Sequence, residues 1–239
     1  MILLIIVAKA ARSPAAFHQN RPAEGGAVES NQELFETMHE EGVVAVLRSE
    51  SVEQALDVAR ACVAGGVRFI EVTFSVPDAA GAIRALSEDA KTGAIVGAGT
   101  VLTVEQAGEA IAAGARFIVA PVYSPEMLAL CQEKDVPYIP GCMTVNEMFA
   151  AQQAGCPVVK FFPASQFTPG FIKAVHAPLP TLDIMPTGGI NLDNAAEWIA
   201  KGAFALGVGG NLTTVGDDGL AGITKRAAAY REQVRAGRQ

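Results

Sequence analysis

Residues 43–74 read VVAVLRSESVEQALDVARACVAGGVRFIEVTF, and this stretch indicates the fold. Two short apolar runs, Val43–Leu47 and Phe69–Phe74, flank a segment with helical spacing. In that segment, Ser51–Ala64, small and aliphatic residues recur at intervals of three and four, which is typical of an amphipathic helix. Gly65-Gly66 then supplies a helix end. The stretch therefore predicts one strand–helix–strand unit.

The same unit recurs along the chain, with roughly 23 residues from the start of one apolar run to the next. The runs are almost continuously apolar, as expected of parallel strands that are buried on both faces. The eight predicted strands are Val43–Leu47, Phe69–Phe74, Ala94–Gly99, Phe117–Pro121, Tyr138–Cys142, Val158–Phe162, Asp183–Thr187 and Ala205–Gly209. Eight such units predict an α/β protein with a closed (β/α)8 TIM barrel. An open nucleotide-binding sheet is disfavoured because Arg48-Ser49-Glu50 follows the first strand, where such sheets carry a glycine-rich turn.

Composition narrows the function classes. The 239 residues are 50% hydrophobic and carry 18 Lys and Arg against 25 Asp and Glu, a net charge of −7. This excludes a disordered chain, and the acidic balance argues against a nucleic-acid partner. The chain has four cysteines without metal-ligand spacing and only three histidines, so it has almost no source of metal ligands. We therefore expect no metal and no cofactor. We also expect the cysteines to be buried free thiols in a reducing cytoplasm.

Residues 1–29 are predicted to form an N-terminal extension outside the fold, and residues 30–239 a single barrel domain. The apolar run Met1–Ala8 is shorter than a membrane helix needs, and its basic residues follow it, whereas those of a signal peptide precede it. We therefore expect an accessory or misassigned leader and no membrane partner.

In a TIM barrel, functional side chains lie at the carboxyl ends of the strands. Lys160 and Glu71 are the most informative polar residues there, because each is flanked by apolar neighbours within its strand. Burial disfavours a charged amine, and a neutral amine is the nucleophile that a Schiff base requires. The alternative, in which Lys160 reaches solvent at the rim of the barrel, remains equally open. Glu71 is either a proton-transfer group or the partner of Lys160 in a structural ion pair.

Two glycine pairs follow the last two predicted strands: Gly188-Gly189, after Thr187, and Gly209-Gly210, before Asn211. In many barrels these two loops bind phosphate through backbone amides, which glycine leaves accessible. Glycines also end strands for purely steric reasons. Their occurrence after both final strands favours phosphate binding.

Four motifs resemble those of the 2-keto-3-deoxy-6-phosphogluconate aldolase family, which includes 4-hydroxy-2-oxoglutarate aldolases. They are EVTFSVPD at 71–78, GAGTVL at 97–102, KFFPA at 160–164 and PTGGI at 186–190. The resemblance covers residues 32–213. It implies a class I pyruvate aldolase that is a (β/α)8 barrel and assembles as a homotrimer.

The resemblance also implies roles for individual residues. Lys160 would form the Schiff base with pyruvate, and Glu71 would be the general acid and base. Thr100 would bind the pyruvate carboxylate, and Phe162 would pack near the substrate. The remaining predicted substrate-binding residues are Arg48, Pro121, Thr187, Gly188, Gly189, Gly209, Gly210 and Asn211.

Two positions depart from the family pattern. Where members have an arginine that binds the carboxylate, this chain has Ser75, and a serine of the second glycine loop is replaced by Asn211. Arg48 is our candidate to replace the arginine, since a guanidinium fork suits a carboxylate. The alternative is a rim arginine paired with Glu50 or Glu53.

The leading interpretation is a lyase that cleaves 2-dehydro-3-deoxy-6-phosphogluconate to pyruvate and D-glyceraldehyde 3-phosphate. Its closest alternatives act on the 6-phosphogalactonate epimer or on 4-hydroxy-2-oxoglutarate, which lacks a phosphate. An isomerase or synthase barrel would keep the phosphate loops without imine chemistry, and a non-catalytic barrel would only bind a sugar phosphate.

Overall fold

The computed structural model describes residues 30–239, so the predicted extension at 1–29 lies outside the described residues. Along residues 30–239, strands and helices alternate. The strands are β1 (Val43–Leu47), β2 (Phe69–Thr73), β3 (Ile95–Gly99), β4 (Ile118–Val119), β5 (Tyr138–Ile139), β6 (Gly141–Cys142), β7 (Val158–Phe161), β8 (Asp183–Pro186) and β9 (Leu206–Val208). The helices are α1 (Asn31–Glu41), α2 (Val52–Ala64), α3 (Ala79–Glu88), α4 (Val104–Ala112), α5 (Pro125–Glu133), α6 (Val145–Gln153), α7 (Gly170–His176), α8 (Ala195–Ala200), α9 (Gly210–Thr213) and α10 (Gly219–Gly237).

The strands are parallel and close into a barrel. One sheet has the order β5-β4-β3-β2-β1-β9, and the other has the order β6-β7-β8. A parallel bridge between Thr187 and Gly207 joins β8 to β9, and only Pro140 separates β5 from β6. The predicted (β/α)8 TIM barrel is therefore confirmed, with β5 and β6 together forming its fifth strand.

Two predicted strands differ from those observed. The run Tyr138–Cys142 is divided at Pro140, because proline has no amide hydrogen to contribute to a sheet. The carbonyl of Pro140 still accepts a hydrogen bond from the backbone of Lys160 at 2.8 Å. The run Phe117–Pro121 shortens to the two residues of β4, which pair with β3 through Ile118 and Ala98.

Two apolar cores explain why the strands read as continuously hydrophobic. The larger core lies between the strands and the surrounding helices. The smaller core fills the lumen with side chains from alternate strand positions, and α1 closes its amino-terminal end with Leu34, Phe35 and Met38. The strand-borne members of this lumen core are Val44, Phe69, Val119, Ile139, Val158 and Met185.

Helix α1 is held firmly at both ends, which the sequence analysis did not anticipate. Ser30 and Glu33 form a capping box at its start. At its other end, Arg231 and Arg238 of the α10 region donate hydrogen bonds to the carbonyls of Glu41, Glu40 and His39. These are carbonyls that a helix leaves without partners in its last turn.

Candidate active site

The predicted site residues all gather toward one end of the barrel. Glu71 and Lys160 lie within β2 and β7, and the others lie beyond the carboxyl ends of strands. They are Arg48 after β1, Thr100 after β3, Pro121 close behind β4, Phe162 after β7, Thr187, Gly188 and Gly189 after β8, Gly209 after β9, and Gly210 and Asn211 at the start of α9. This is the end at which TIM barrels carry their active sites.

Lys160 faces the lumen, which resolves the orientation that the sequence left open. Its neighbours Val159 and Phe161 belong to the core between strands and helices, whereas Val158, two residues earlier, belongs to the lumen core. Because side chains alternate along a strand, Lys160 points the same way as Val158. It is only 4% exposed.

Glu71 meets Lys160 inside the barrel. Its carboxyl group is fully buried, and Oε1 lies 3.5 Å from the Lys160 Nζ atom. The other carboxyl oxygen, Oε2, is buried and has no hydrogen-bond partner within residues 30–239. A buried carboxylate with a purely structural role is normally satisfied on both oxygens. The unpartnered Oε2 thus favours the proton-transfer interpretation of Glu71 over the structural one.

Two glycines permit close approaches around this pair. A Cβ atom at Gly99 of β3 would lie 2.0 Å from Glu71 Oε1. Gly141, the register partner of Lys160 in β6, has no room for a Cβ either, because the backbone of Pro121 would be 2.2 Å away. Glycine within a strand commonly marks a close approach of this kind.

Phe162 lies between the lysine and the first glycine loop. Its ring centroid is 5.3 Å from Lys160 Nζ. A Cβ atom at Gly188 would stand 3.6 Å from the same ring, in ordinary contact. The aromatic ring thus forms one wall beside the amine.

Two buried threonines hold the end of β1 that carries Arg48. Thr73 donates to the Leu47 carbonyl at 2.8 Å, and Thr213 donates to the Val46 carbonyl at 3.3 Å. Arg48 itself is exposed and forms no hydrogen bond or ion pair within the described part of the chain. The alternative pairing with Glu50 or Glu53 is therefore not observed. The hydroxyl of Ser75, which stands where the family has arginine, lies 2.6 Å from that of Thr73.

Thr100 has an unusual backbone conformation, and the Thr187 hydroxyl lies unusually close to a neighbouring strand. Thr100 has a φ of 55°, a left-handed conformation that β-branched residues rarely adopt and that clusters at functional sites. Thr187 is buried, and its Oγ1 would lie 2.1 Å from a Cβ atom at Gly207. Gly207 therefore leaves the room that the Thr187 hydroxyl takes.

The two glycine loops present free backbone amides. Gly188 and Gly189 have φ values of 91° and 75°, so glycine is favoured at both. The amides of Gly188, Gly189, Gly209 and Gly210 donate no hydrogen bond to any other group in residues 30–239. The two loops are neighbours, since Asn211 Nδ2 donates to the Ile190 carbonyl at 2.7 Å, and unpaired amides in neighbouring loops are a suitable site for an anion.

Two other features of the described residues bear on ligands. Residues 30–239 contain no group of three or more His, Cys, Asp and Glu side chains placed to hold a metal ion. None of the helices in that range is long and apolar enough to cross a bilayer.

Comparison with known proteins agrees with this geometry. The family model described as "Aldolase: KDPG and KHG aldolase" matches residues 34–225. The chain belongs to the KDPG and KHG aldolase family. The resemblance inferred from the four motifs is thereby confirmed, and the protein is an aldolase, a carbon–carbon lyase.

Individual relatives within this family differ in their named substrates. The chain is 39% identical over 201 residues to the 2-dehydro-3-deoxy-phosphogluconate aldolase of Treponema pallidum, covering 84% of this chain and 95% of that protein. It is 33% identical over 196 residues to the 2-dehydro-3-deoxy-6-phosphogalactonate aldolase of Escherichia coli, covering 80% and 96%. A solved KDPG aldolase from Legionella pneumophila, with pyruvate captured as a covalent carbinolamine, superposes with a TM-score of 0.70 at 31% identity, covering 85% and 96%.

Sequence reasoning did not select three residues that shape the site: Gly99, Thr213 and Asn194. Gly99 carried a signal, since a glycine inside a strand indicates close approach. Thr213 acts through a bond to the Val46 carbonyl, 167 residues away, which no local pattern reveals. Asn194 bonds the Gly189 carbonyl only five residues earlier, within the same loop region.

Proposed function

We propose that this aldolase cleaves 2-dehydro-3-deoxy-6-phosphogluconate to pyruvate and D-glyceraldehyde 3-phosphate through a Schiff base on Lys160. The observation that carries the proposal is a buried amine 3.5 Å from a buried carboxylate at the functional end of a TIM barrel. The family includes enzymes named for the gluconate, the galactonate and the unphosphorylated substrate. Two loops with unpaired glycine amides favour a phosphorylated one.

Lys160 and Glu71 divide the chemistry between them. The amine attacks the C2 ketone to give a carbinolamine, and Glu71 supplies the proton with which water leaves, so that an iminium forms. Glu71 then removes the proton of the C4 hydroxyl, and the C3–C4 bond breaks to release the aldehyde and leave an enamine. Protonation of the enamine and hydrolysis release pyruvate and restore the amine.

The remaining residues orient the substrate. Thr100 and Arg48 bind the carboxylate, and the ring of Phe162 packs beside the reacting carbons. Pro121 and Thr187 line the same end of the barrel. The amides of Gly188, Gly189, Gly209 and Gly210, with Asn211 beside them, receive the phosphate.

Borohydride reduction in the presence of pyruvate tests the proposal. We expect the wild-type protein to gain the mass of one reduced pyruvate, located on the peptide that contains Lys160, and to lose activity. Lys160→Met keeps the length of the side chain but removes the amine, so it should form no adduct and retain less than roughly 1% of turnover. Lys173→Met, on the exposed face of α7, is the control and should behave as wild type. An unmodified wild-type protein would contradict imine chemistry and favour an isomerase, a synthase or a binding protein.

We also propose a homotrimer. Large apolar side chains are exposed close behind β3, β4 and β6 and on α6, on one side of the barrel: Leu102, Val122, Met143, Val145 and Phe149. Several large apolar side chains exposed beyond neighbouring strands favour an interface at this place. Light scattering should give three times the chain mass of 24.8 kDa, and Phe149→Glu should lower it. A wild-type mass of one chain at micromolar concentration would contradict the assembly.

The proposed compartment is the cytoplasm. All four cysteines are free and buried, which suits a reducing environment.

A further inference from the structure

One side-chain hydrogen bond ties the two glycine loops together. Asn211, which directly follows Gly209-Gly210, donates from Nδ2 to the backbone carbonyl of Ile190 at 2.7 Å. Ile190 directly follows Gly188-Gly189, so the bond joins segments that are 21 residues apart in sequence.

Other bonds hold the first loop from the same side. The Tyr230 hydroxyl donates to the Ile190 carbonyl at 3.4 Å, and Asn194 Nδ2 donates to the Gly189 carbonyl at 3.0 Å. Asn194 is fixed in turn, because its Oδ1 accepts the backbone amide of Asn191 at 3.0 Å. The carbonyl and the N–H of one peptide point in opposite directions, so the bonds to the Gly189 and Ile190 carbonyls fix the peptides that lead into Ile190 and Asn191. The free amide of Gly188 shares its peptide with the Thr187 carbonyl, which accepts the backbone amide of Ala164 at 2.9 Å.

On the basis of the proposed function, we infer that Asn211 is a positioning residue for phosphate recognition: it holds the two glycine loops at the separation at which their amides bind one phosphate. A loop fixed before binding loses less conformational entropy when the ligand arrives. One of the two N–H donors of Asn211 Nδ2 is used by the Ile190 carbonyl, and the amide oxygen is an acceptor that a phosphate repels. The bond to the neighbouring loop is the observed contact of this side chain, and the positioning role rests on it.

Asn211→Ala and Asn211→Ser together separate positioning from direct contact. Serine can donate to a phosphate, but it is too short to span to the Ile190 carbonyl. We expect both variants to raise, by about 3- to 10-fold, the ratio of KM for 2-dehydro-3-deoxy-6-phosphogluconate to KM for 4-hydroxy-2-oxoglutarate, as the loss of one hydrogen bond predicts. The inhibition constant of inorganic phosphate should rise by the same factor. A serine variant that keeps the wild-type ratio and phosphate inhibition would overturn the inference.

Hydrogen exchange without ligand provides the second readout. In Asn211→Ala, the amide of Asn191, which donates to Asn194 Oδ1 at 3.0 Å and shares its peptide with the Ile190 carbonyl, should exchange faster than in wild type, because the loop has lost its tie. Asn146→Ala, at an exposed position of α6, is the control and should leave both exchange and phosphate inhibition unchanged. Unchanged exchange in Asn211→Ala would also overturn the inference.

Different results would overturn the proposed function and the role of Asn211. A wild-type protein that forms no pyruvate adduct, or that phosphate does not inhibit, overturns the proposed function and this inference with it. A wild-type protein that passes both tests, with Asn211→Ala indistinguishable from it, overturns the inference alone.

Discussion

Glu71 and Lys160 form a contact that both a structural and a catalytic interpretation require. At 3.5 Å, the pair is at the outer limit of a hydrogen bond, and one carboxyl oxygen of Glu71 has no partner within residues 30–239. A stabilising buried ion pair needs close geometry and satisfied lone pairs. The loose contact is better explained by a site in which substrate atoms complete the bonding.

Glu71→Gln keeps the shape of the side chain but removes its capacity to exchange a proton. We expect kcat to fall about 10²- to 10⁴-fold, the usual contribution of a general acid or base. Glu41→Gln is the matched control, because Glu41 is also buried and bonded to a cation, Arg68, at 2.6 Å. That control should lower the melting temperature and leave kcat unaffected. An unchanged kcat in Glu71→Gln would assign Glu71 a structural role.

Arg48→Ala tests the replacement of the family arginine. A charge-assisted hydrogen bond contributes about 1.5–3 kcal/mol, so KM should rise roughly 10- to 150-fold for every 2-keto acid substrate. Phosphorylated and unphosphorylated substrates should be affected alike, since both carry the carboxylate. Arg60→Ala, in which an exposed pair with Asp89 is lost, should change KM less than about threefold. A loss confined to phosphorylated substrates would place Arg48 at the phosphate instead.

Strand β3 contributes to the site through Gly99, which has no side chain. Gly99 lies on the strand that pairs with β2, and the carboxyl group of Glu71 occupies the space that a Cβ atom of residue 99 would take. Strand β3 thereby limits where the carboxyl group of Glu71 can lie.

Gly99→Ala should therefore displace the carboxyl group of Glu71. We expect a lower kcat together with a loss of stability of about 1–3 kcal/mol, as overpacking in a core produces. Gly108→Ala is the matched control within the adjacent helix α4, where a Cβ atom meets nothing within 4 Å. It should stabilise the protein by about 0.5–1 kcal/mol and leave kcat unchanged. The measurements are thermal unfolding and steady-state kinetics, and equal kcat values in the two variants would refute this role of Gly99.

The helices and strands differ in how well their sequences predict them. The strand at Val158–Phe161 could be predicted from its apolar run, but the direction of Lys160 could not, because burial on both faces removes the alternation that would reveal it. Helix α1 escaped prediction although Ser30 and Glu33 have the spacing of a capping box. The division at Pro140 follows from the proline itself, because proline is disfavoured in the interior of a central strand.

Across the whole molecule, the (β/α)8 plan could be predicted because its repeat is encoded locally, unit by unit. The site was predictable only to the level of strand ends. The contact between Glu71 and Lys160 joins residues 89 apart, and the tie between Asn211 and Ile190 joins two separate loops. Such pairings depend on barrel closure, which no local pattern contains.

The buried thiols predict how stability depends on pH. Burial raises the pKa of Cys62, Cys131, Cys142 and Cys156 from an ordinary value near 9 to about 12. The unfolded chain then releases these protons above pH 9 while the folded chain keeps them, so the free energy of unfolding should fall as pH rises from about 9 towards 12.

Urea titration at pH 7, 9 and 10.5 checks this expectation, with a lower midpoint at the highest pH. At pH 8 the folded protein should also resist thiol reagents until urea exposes all four cysteines. A midpoint that stays constant up to pH 10.5 would contradict the argument.

The arginines that donate hydrogen bonds to the end of α1 affect the order in which contacts can form during translation. Arg231 and Arg238 bind carbonyls of residues 190 to 199 positions earlier in the chain. Helix α1 is synthesised before every strand, yet its final turn stays without these partners until nearly the whole barrel has been translated. During synthesis, α1 therefore keeps its local capping box but lacks the donors for its last three carbonyls. Its apolar side chains Leu34, Phe35 and Met38 also lack the lumen core that buries them in the finished barrel.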